Sequence, residues 1–330
     1  MTAEHTPGQE QAHHPHGDGA AHEHGQTPGR DHAHAHTHAH GHGHGSGEEP
    51  DWEAMADMLV QEAQLQADGV RRSARWLGEL LGERAARVGR ALDVGSGPGV
   101  NTAVLAQEFA NAEVVAVDGT PALLDHALRQ ARAAGVGDRV TTLHAELPGD
   151  FPALGRADLI WTSHVVHHIG DQQAALASLG EALRPGGLLA VAERGLPLRY
   201  LPRDIGIGRP GLLTRLEAVR EEWFSRMRAE LPGSTDVVEH WPALLSGAGL
   251  LPIGSRTFLV EAPTPLAEPA RQHLYALLSR ARETLAEDLD AEDLTTLDRL
   301  LDRDAAEGIL HRPDAFYLTA TTVHTATAPA

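Results

Sequence analysis

The sequence predicts an α/β fold, an open and mostly parallel β-sheet wound on both faces by helices. Three observations predict it. From residue 90 onward, short apolar runs alternate with windows of helical periodicity. A glycine-rich turn joins the first run to the first helix of that series. The last run, AFYLTATTVHTAT at 315–327, is rich in Thr and Val and closes the chain as a strand.

The elements follow in order. Residues 1–50 contain no Val, Ile, Leu, Phe, Trp or Tyr, so they cannot form a core and are expected to be a disordered, His-rich tail. Within that tail, His32, His34, His36, His38, His40, His42 and His44 alternate with small residues. On a flexible chain such a run can gather divalent metal ions nonspecifically; drift of a low-complexity segment explains it equally well. One domain is expected over 51–330. Residues 51–89 read as two N-terminal helices broken near Asp68–Gly69, and 90–193 as a cofactor-binding core. In that core the strands are ALDV, AEVVAV, RVTTLHA, ADLIWT and GLLAVAE. Segments 194–248 and 265–313 read as helical lid insertions after the fifth and sixth strands, and IGSRTFLVEA at 253–262 as the sixth strand. Asp290 is a plausible N-cap for AEDLTTLDRLL.

Composition narrows the chemistry. No cysteine is present, which excludes thiolate metal sites and a Cys nucleophile. All basic residues are Arg, so Schiff-base chemistry and a phosphate-loop lysine are excluded. A net charge of −19 argues against a nucleic-acid partner. No apolar run has the length of a membrane span, and the expectation is a soluble cytoplasmic protein without a membrane partner. The oligomeric state is not legible.

The stretch ALDVGSGPGVNTAVLAQEF at 91–109 carries the function. A buried strand ends in Gly95, Ser96, Gly97, Pro98 and Gly99, where the backbone can turn sharply and approach a ligand closely. Asp118 ends the second strand, where a carboxylate can accept from both ribose hydroxyls, or simply cap the next helix. Dinucleotide-binding turns place a further glycine five residues after the first, and that position holds Val100. The spacing is D-x-G-x-G-x-G and begins at Asp93.

This pattern resembles motif I of class I S-adenosylmethionine-dependent methyltransferases of the small-molecule type, a Rossmann-like family. ADLIWTSHVVHHIGD resembles the family's fourth-strand segment, LRPGGLLAVAE its fifth-strand motif, and HWPALLSGAGLLPIGSRTF its last helix and sixth strand. The resemblance implies a doubly wound, seven-stranded, mostly parallel sheet with an antiparallel C-terminal strand, and S-adenosylmethionine as cofactor. It implies methyl transfer by in-line displacement to a small-molecule acceptor through oxygen, nitrogen or carbon. The cofactor contacts it implies are Asp93, Gly95, Ser96, Gly97, Gly99, Asp118, Gly119 and Ser163. Glu146 would serve for the adenine, because His144 stands near the acid's usual place. Asp93 either organises the loop through backbone N–H groups or meets the cofactor's amino group through water.

Candidate catalytic residues are His164, His168 and Glu193, as general bases for a hydroxyl or amine acceptor. His164, His167 and His168 stand at i, i+3 and i+4, one face of a short helix. That face resembles a metal site, although packing within a family-typical turn is the favoured reading, and no metal is expected in the folded domain. Rival readings are a nicotinamide oxidoreductase, an aminopropyl transferase, and a catalytically inactive relative that binds metal or regulates through its tail.

Overall fold

The computed structural model describes residues 52–330. The expected disordered tail, with the candidate histidines 32–44, lies outside the described residues. The elements in chain order are α1 (Trp52–Leu81), β1 (Arg90–Val94), α2 (Val100–Glu108), β2 (Glu113–Asp118), α3 (Pro121–Ala133), β3 (Val140–His144), β4 (Ala157–Ser163) and α4 (Gln172–Glu181). Then come β5 (Leu183–Arg199), α5 (Leu212–Glu230), α6 (Trp241–Gly247), β6 (Leu251–Glu261), α7 (Glu268–Thr284), α8 (Ala291–Leu300) and β7 (Leu318–Thr327).

The strands form one seven-stranded sheet in the order β3-β2-β1-β4-β5-β7-β6. β1 to β5 run parallel, and β7 is antiparallel to both of its neighbours. Chain order therefore reverses between β1 and β4, which opens a crevice at their carboxyl ends. β1 is buried on both faces, as a central parallel strand must be. α1 and α2 cover one face around Leu77, Leu105, Phe109 and Trp161. α4 and α6 cover the other around Leu176, Leu179, Trp241 and Leu245. A third core joins the Tyr200–Leu216 stretch to α7 and α8 through Leu274, Leu278, Leu297 and Tyr317. Asp290 caps α8 as its sequence position suggests, accepting from the N–H groups of Glu292 and Asp293.

Two elements differ from the sequence reading. The expected break at Asp68–Gly69 is absent, and α1 is one helix of 30 residues. Gly69 serves instead as a point of close approach: a Cβ there would stand 2.5 Å from Cγ2 of Val260 in β6. Its cost in helix propensity is offset by packing the helix against the sheet edge. The second difference is β5, which spans 17 residues. The Arg184–Gly187 turn is a bulge in its pairing with β4, and residues 194–199, expected in the insertion, continue the strand against β7.

Within the core, Asp93 points from β1 to α2. It is 1% exposed. Its Oδ2 accepts the Thr102 hydroxyl at 2.6 Å, while Oδ1 has no hydrogen-bond partner. Burial pushes this carboxyl up to about 7, and the Thr102 hydrogen bond only partly opposes that.

Gly69→Val is expected to destabilise the fold by about 1–3 kcal/mol in urea denaturation, although glycine is the poorer helix former. A neutral or stabilising result would contradict the close-approach reading. For Asp93, the folded protein keeps a proton that the unfolded chain releases above pH ~4. Its contribution to stability is thus present at low pH and lost as pH rises through about 7. The slope reaches at most ~1.4 kcal/mol per pH unit for one proton. Urea midpoints at pH 5, 6 and 7 should fall more steeply for the parent chain than for Asp93→Asn; equal slopes would refute the assignment.

Candidate active site

The glycine turn closes the carboxyl end of β1. Gly95, Gly97 and Gly99 have φ of 72°, 53° and 81°. The N–H groups of Gly95 and Ser96 both donate to the carbonyl of Val117, at 2.8 and 2.9 Å, which ties the loop to the end of β2. A Cβ at Gly97 would meet nothing within 4 Å, so the glycine answers the backbone conformation and leaves the space above it open. That space belongs to a cavity of about 280 Å³ under α1, lined by the loop together with Ser163 and His164.

Asp118 joins loop and strand. Its Oδ2 accepts the Gly97 N–H and its Oδ1 the Thr120 N–H, each at 2.9 Å. The residue stands two places before Thr120, the N-cap of α3. The carboxylate is thereby fixed beside the glycine turn. Asp93 anchors α2 through the Thr102 hydroxyl. Gly119 follows Asp118, and its carbonyl lies 2.9 Å from Nε2 of His144. Glu146 is exposed beyond β3, with its N–H donating to Asp150. Asp93, Asp118, Gly119 and Glu146 do not line the cavity.

A second cavity of about 230 Å³ lies between the carboxyl extension of β5, β7, α5 and α7. Both cavities are lined by Glu62, Gln66, His164 and Thr321. Glu62 and Gln66 were not singled out from the sequence. The signal was available: two polar residues at i, i+4, bonded to each other at 3.2 Å, interrupt the apolar stripe of α1. Burial raises the Glu62 carboxyl. Arg194 and Arg220 also border the second cavity, and both are paired with Glu217.

The three histidines do not share one helical face. Val166–His168 is a single 3₁₀ turn, and His164 precedes it with φ of 57°. His164 is the one described non-glycine residue with positive φ, a strained conformation of the kind held at functional sites. A bond from its N–H to the Ala192 carbonyl fixes it to β5. Nδ1 of His167 lies 2.6 Å from Oε2 of Glu193, and Nδ1 of His164 lies 4.0 Å from the same oxygen. His168 turns its exposed ring onto Phe224 and His167, and lines neither cavity. Desolvation pushes Glu193 up to about 7 and both His164 and His167 down to about 4. The sequence set His167 in a three-histidine face and gave no sign of its carboxylate partner, which comes from another strand, 26 residues on.

Trp161 is 1% exposed in the core. Arg209 pairs with Asp290, Glu292 and Asp293. No helix among the described residues is long and apolar enough to cross a membrane.

The chain matches a family profile described as a methyltransferase domain over residues 92–189. The trans-aconitate 2-methyltransferase of Paracidovorax citrulli is 32% identical over 203 residues, covering 57% of this chain and 75% of that protein. That of Methylobacterium radiotolerans is 37% identical over 103 residues, covering 31% and 36%. The chain spans only about a quarter to a half of the length of other curated relatives it matches. Among solved structures, an O-methyltransferase family protein from Burkholderia thailandensis aligns with a TM-score of 0.44 at 20% identity, over 62% of this chain and 55% of that one. On the strength of the profile and the Paracidovorax relative, the chain belongs to the class I S-adenosylmethionine-dependent methyltransferases.

Proposed function

We propose that the chain moves the methyl group of S-adenosylmethionine to a small-molecule acceptor. One observation carries this reading: two cavities, one walled by the glycine turn and one by the insertions, share His164 as a common wall. A donor in the first and an acceptor in the second would meet there.

The residues present fit the cofactor. Gly97 keeps open space above the loop, and Asp118 is fixed beside it for the ribose hydroxyls. Gly95, Ser96, Gly99 and Ser163 line or complete the methionine side, with Gly119 and Glu146 near the adenosine side. Asp93 acts by anchoring α2 behind the loop. The cofactor supplies a methyl carbon already activated by positive sulfur, so the protein's task is alignment, which is worth about 7–11 kcal/mol in well-ordered systems. α1 contributes to this by covering the donor cavity, and the segments after β5 and β6 wall the acceptor cavity and exclude water.

Of the expected bases, His164 stands nearest to both reactants and Glu193 is buried behind it, whereas His168 faces away. The relatives named for trans-aconitate suggest an acidic acceptor. The pairing of Arg194 with Glu217 and Glu221 argues against a strongly cationic pocket, and a neutral or weakly acidic acceptor fits better.

Titration calorimetry with S-adenosylhomocysteine should show binding that weakens at least about tenfold in Asp118→Ala. Tight binding of a nicotinamide dinucleotide without S-adenosylhomocysteine would overturn the assignment. With labelled S-adenosylmethionine and a metabolite extract, mass spectrometry should find a small molecule that gains a methyl group. His164→Ala should slow that transfer by roughly 100-fold while changing cofactor affinity far less. Label appearing only on protein or nucleic acid would contradict the small-molecule reading.

A further inference from the structure

We propose that His164, His167 and Glu193 form a site for a divalent first-row transition cation, of the zinc or ferrous type, open toward the acceptor cavity. Each residue offers one ligand atom, and these atoms all lie within 4.8 Å of one another. Ligands about 2.1 Å from a tetrahedral metal stand about 3.4 Å apart, a distance that small side-chain rotations reach. Two imidazoles and one carboxylate form a donor set that leaves coordination positions free in metalloenzymes. Such a set suits borderline cations and not Mg²⁺, which keeps to oxygen.

Three further observations point the same way. Glu193 is 4% exposed, and its Oε1 has no hydrogen-bond partner among the described residues. A buried carboxylate with one orphaned oxygen is costly, and a cation beside it removes that cost. The strained backbone of His164 directs a side chain that lines both cavities toward the same carboxylate. His164 and His167 both line the acceptor cavity, so positions left open on the metal would face the acceptor. The nearby Arg194 guanidinium is engaged by Glu217 and Glu221, which offsets its repulsion of a cation.

The site stands on this chain's own side chains. Its role rests on the methyl-transfer reading: the cation would hold an acceptor hydroxyl or carboxylate oxygen beside the donor cavity and lower the pKa of a bound hydroxyl, whose proton passes to water. The cation is neither oxidised nor reduced.

The tail histidines must be silenced to test this. The full-length chain with all 13 histidines of residues 1–50 replaced by Ser is stripped with chelator and titrated with Zn²⁺, and separately with Co²⁺. One equivalent should bind tightly, and Co²⁺ should give the visible absorption of a low-coordinate nitrogen–oxygen site. Glu193→Gln and His167→Ala should each weaken Zn²⁺ binding at least about 100-fold, beyond what loss of an outer hydrogen bond causes. Crystals grown with Zn²⁺ should show an anomalous peak among the three side chains. The proposal is overturned if the tail-silenced chain binds no stoichiometric Zn²⁺, if both variants bind it as the parent does, or if the peak lies elsewhere. S-adenosylhomocysteine titration of the same samples checks folding and separates the two readings. Cofactor binding without Zn²⁺ sinks the metal site alone; Zn²⁺ binding without cofactor sinks methyl transfer and leaves the metal site standing.

Discussion

The reversal of chain direction between β1 and β4 sets where everything else can happen. Because β2 and β3 run off one side of β1 while β4 and β5 run off the other, their connecting helices diverge. The carboxyl ends of the two central strands are left as a crevice that no crossover fills. The glycine turn after β1 and the His164 turn after β4 both lie at that edge. Asp118 locks the first of them by receiving N–H groups from two segments, Gly97 from the loop and Thr120 from the start of α3. In the proposed reading, a carboxylate so fixed would meet the ribose with less ordering to be done on binding.

The lid makes one site into two. β5 runs on past the sheet's carboxyl edge, paired with β7, and carries the chain to α5. α7 and α8 pack on that extension through the third core. α1 reaches across from the other side, held near β6 by the close contact at Gly69. What remains is a pair of adjoining cavities with His164, Glu62, Gln66 and Thr321 between them. Desolvation is the largest influence on the titrating groups at this junction, raising the Glu62 and Glu193 carboxyls and lowering His164.

Local signals made much of this readable in advance. Strand–helix alternation gave the parallel sheet, and the Thr- and Val-rich ending marked a last strand, whose antiparallel direction came with the family resemblance. The glycine turn and Asp118 at the end of β2 stand where the spacing placed them, since each depends on backbone conformation or on position at a strand end. The features missed all depend on long-range partners. Gly69 looks like a helix break until Val260, nearly two hundred residues on, is placed against it. His167 looks like half of a histidine pair until β5 brings Glu193 to its ring. Glu62 and Gln66 look like a solvated helical pair until α1 settles over the glycine turn. The three histidines read as one helical face because periodicity cannot reveal that His164 takes a left-handed backbone and leaves the turn.

The central claim is that donor and acceptor occupy adjoining cavities that meet at His164. A crystal structure with bound S-adenosylhomocysteine tests it most directly. The account predicts ribose hydroxyls on the Asp118 carboxylate, the amino-acid portion over Gly97, and the sulfur facing His164 and the second cavity. A ligand whose sulfur points away from that cavity, or whose ribose lies far from Asp118, would contradict it.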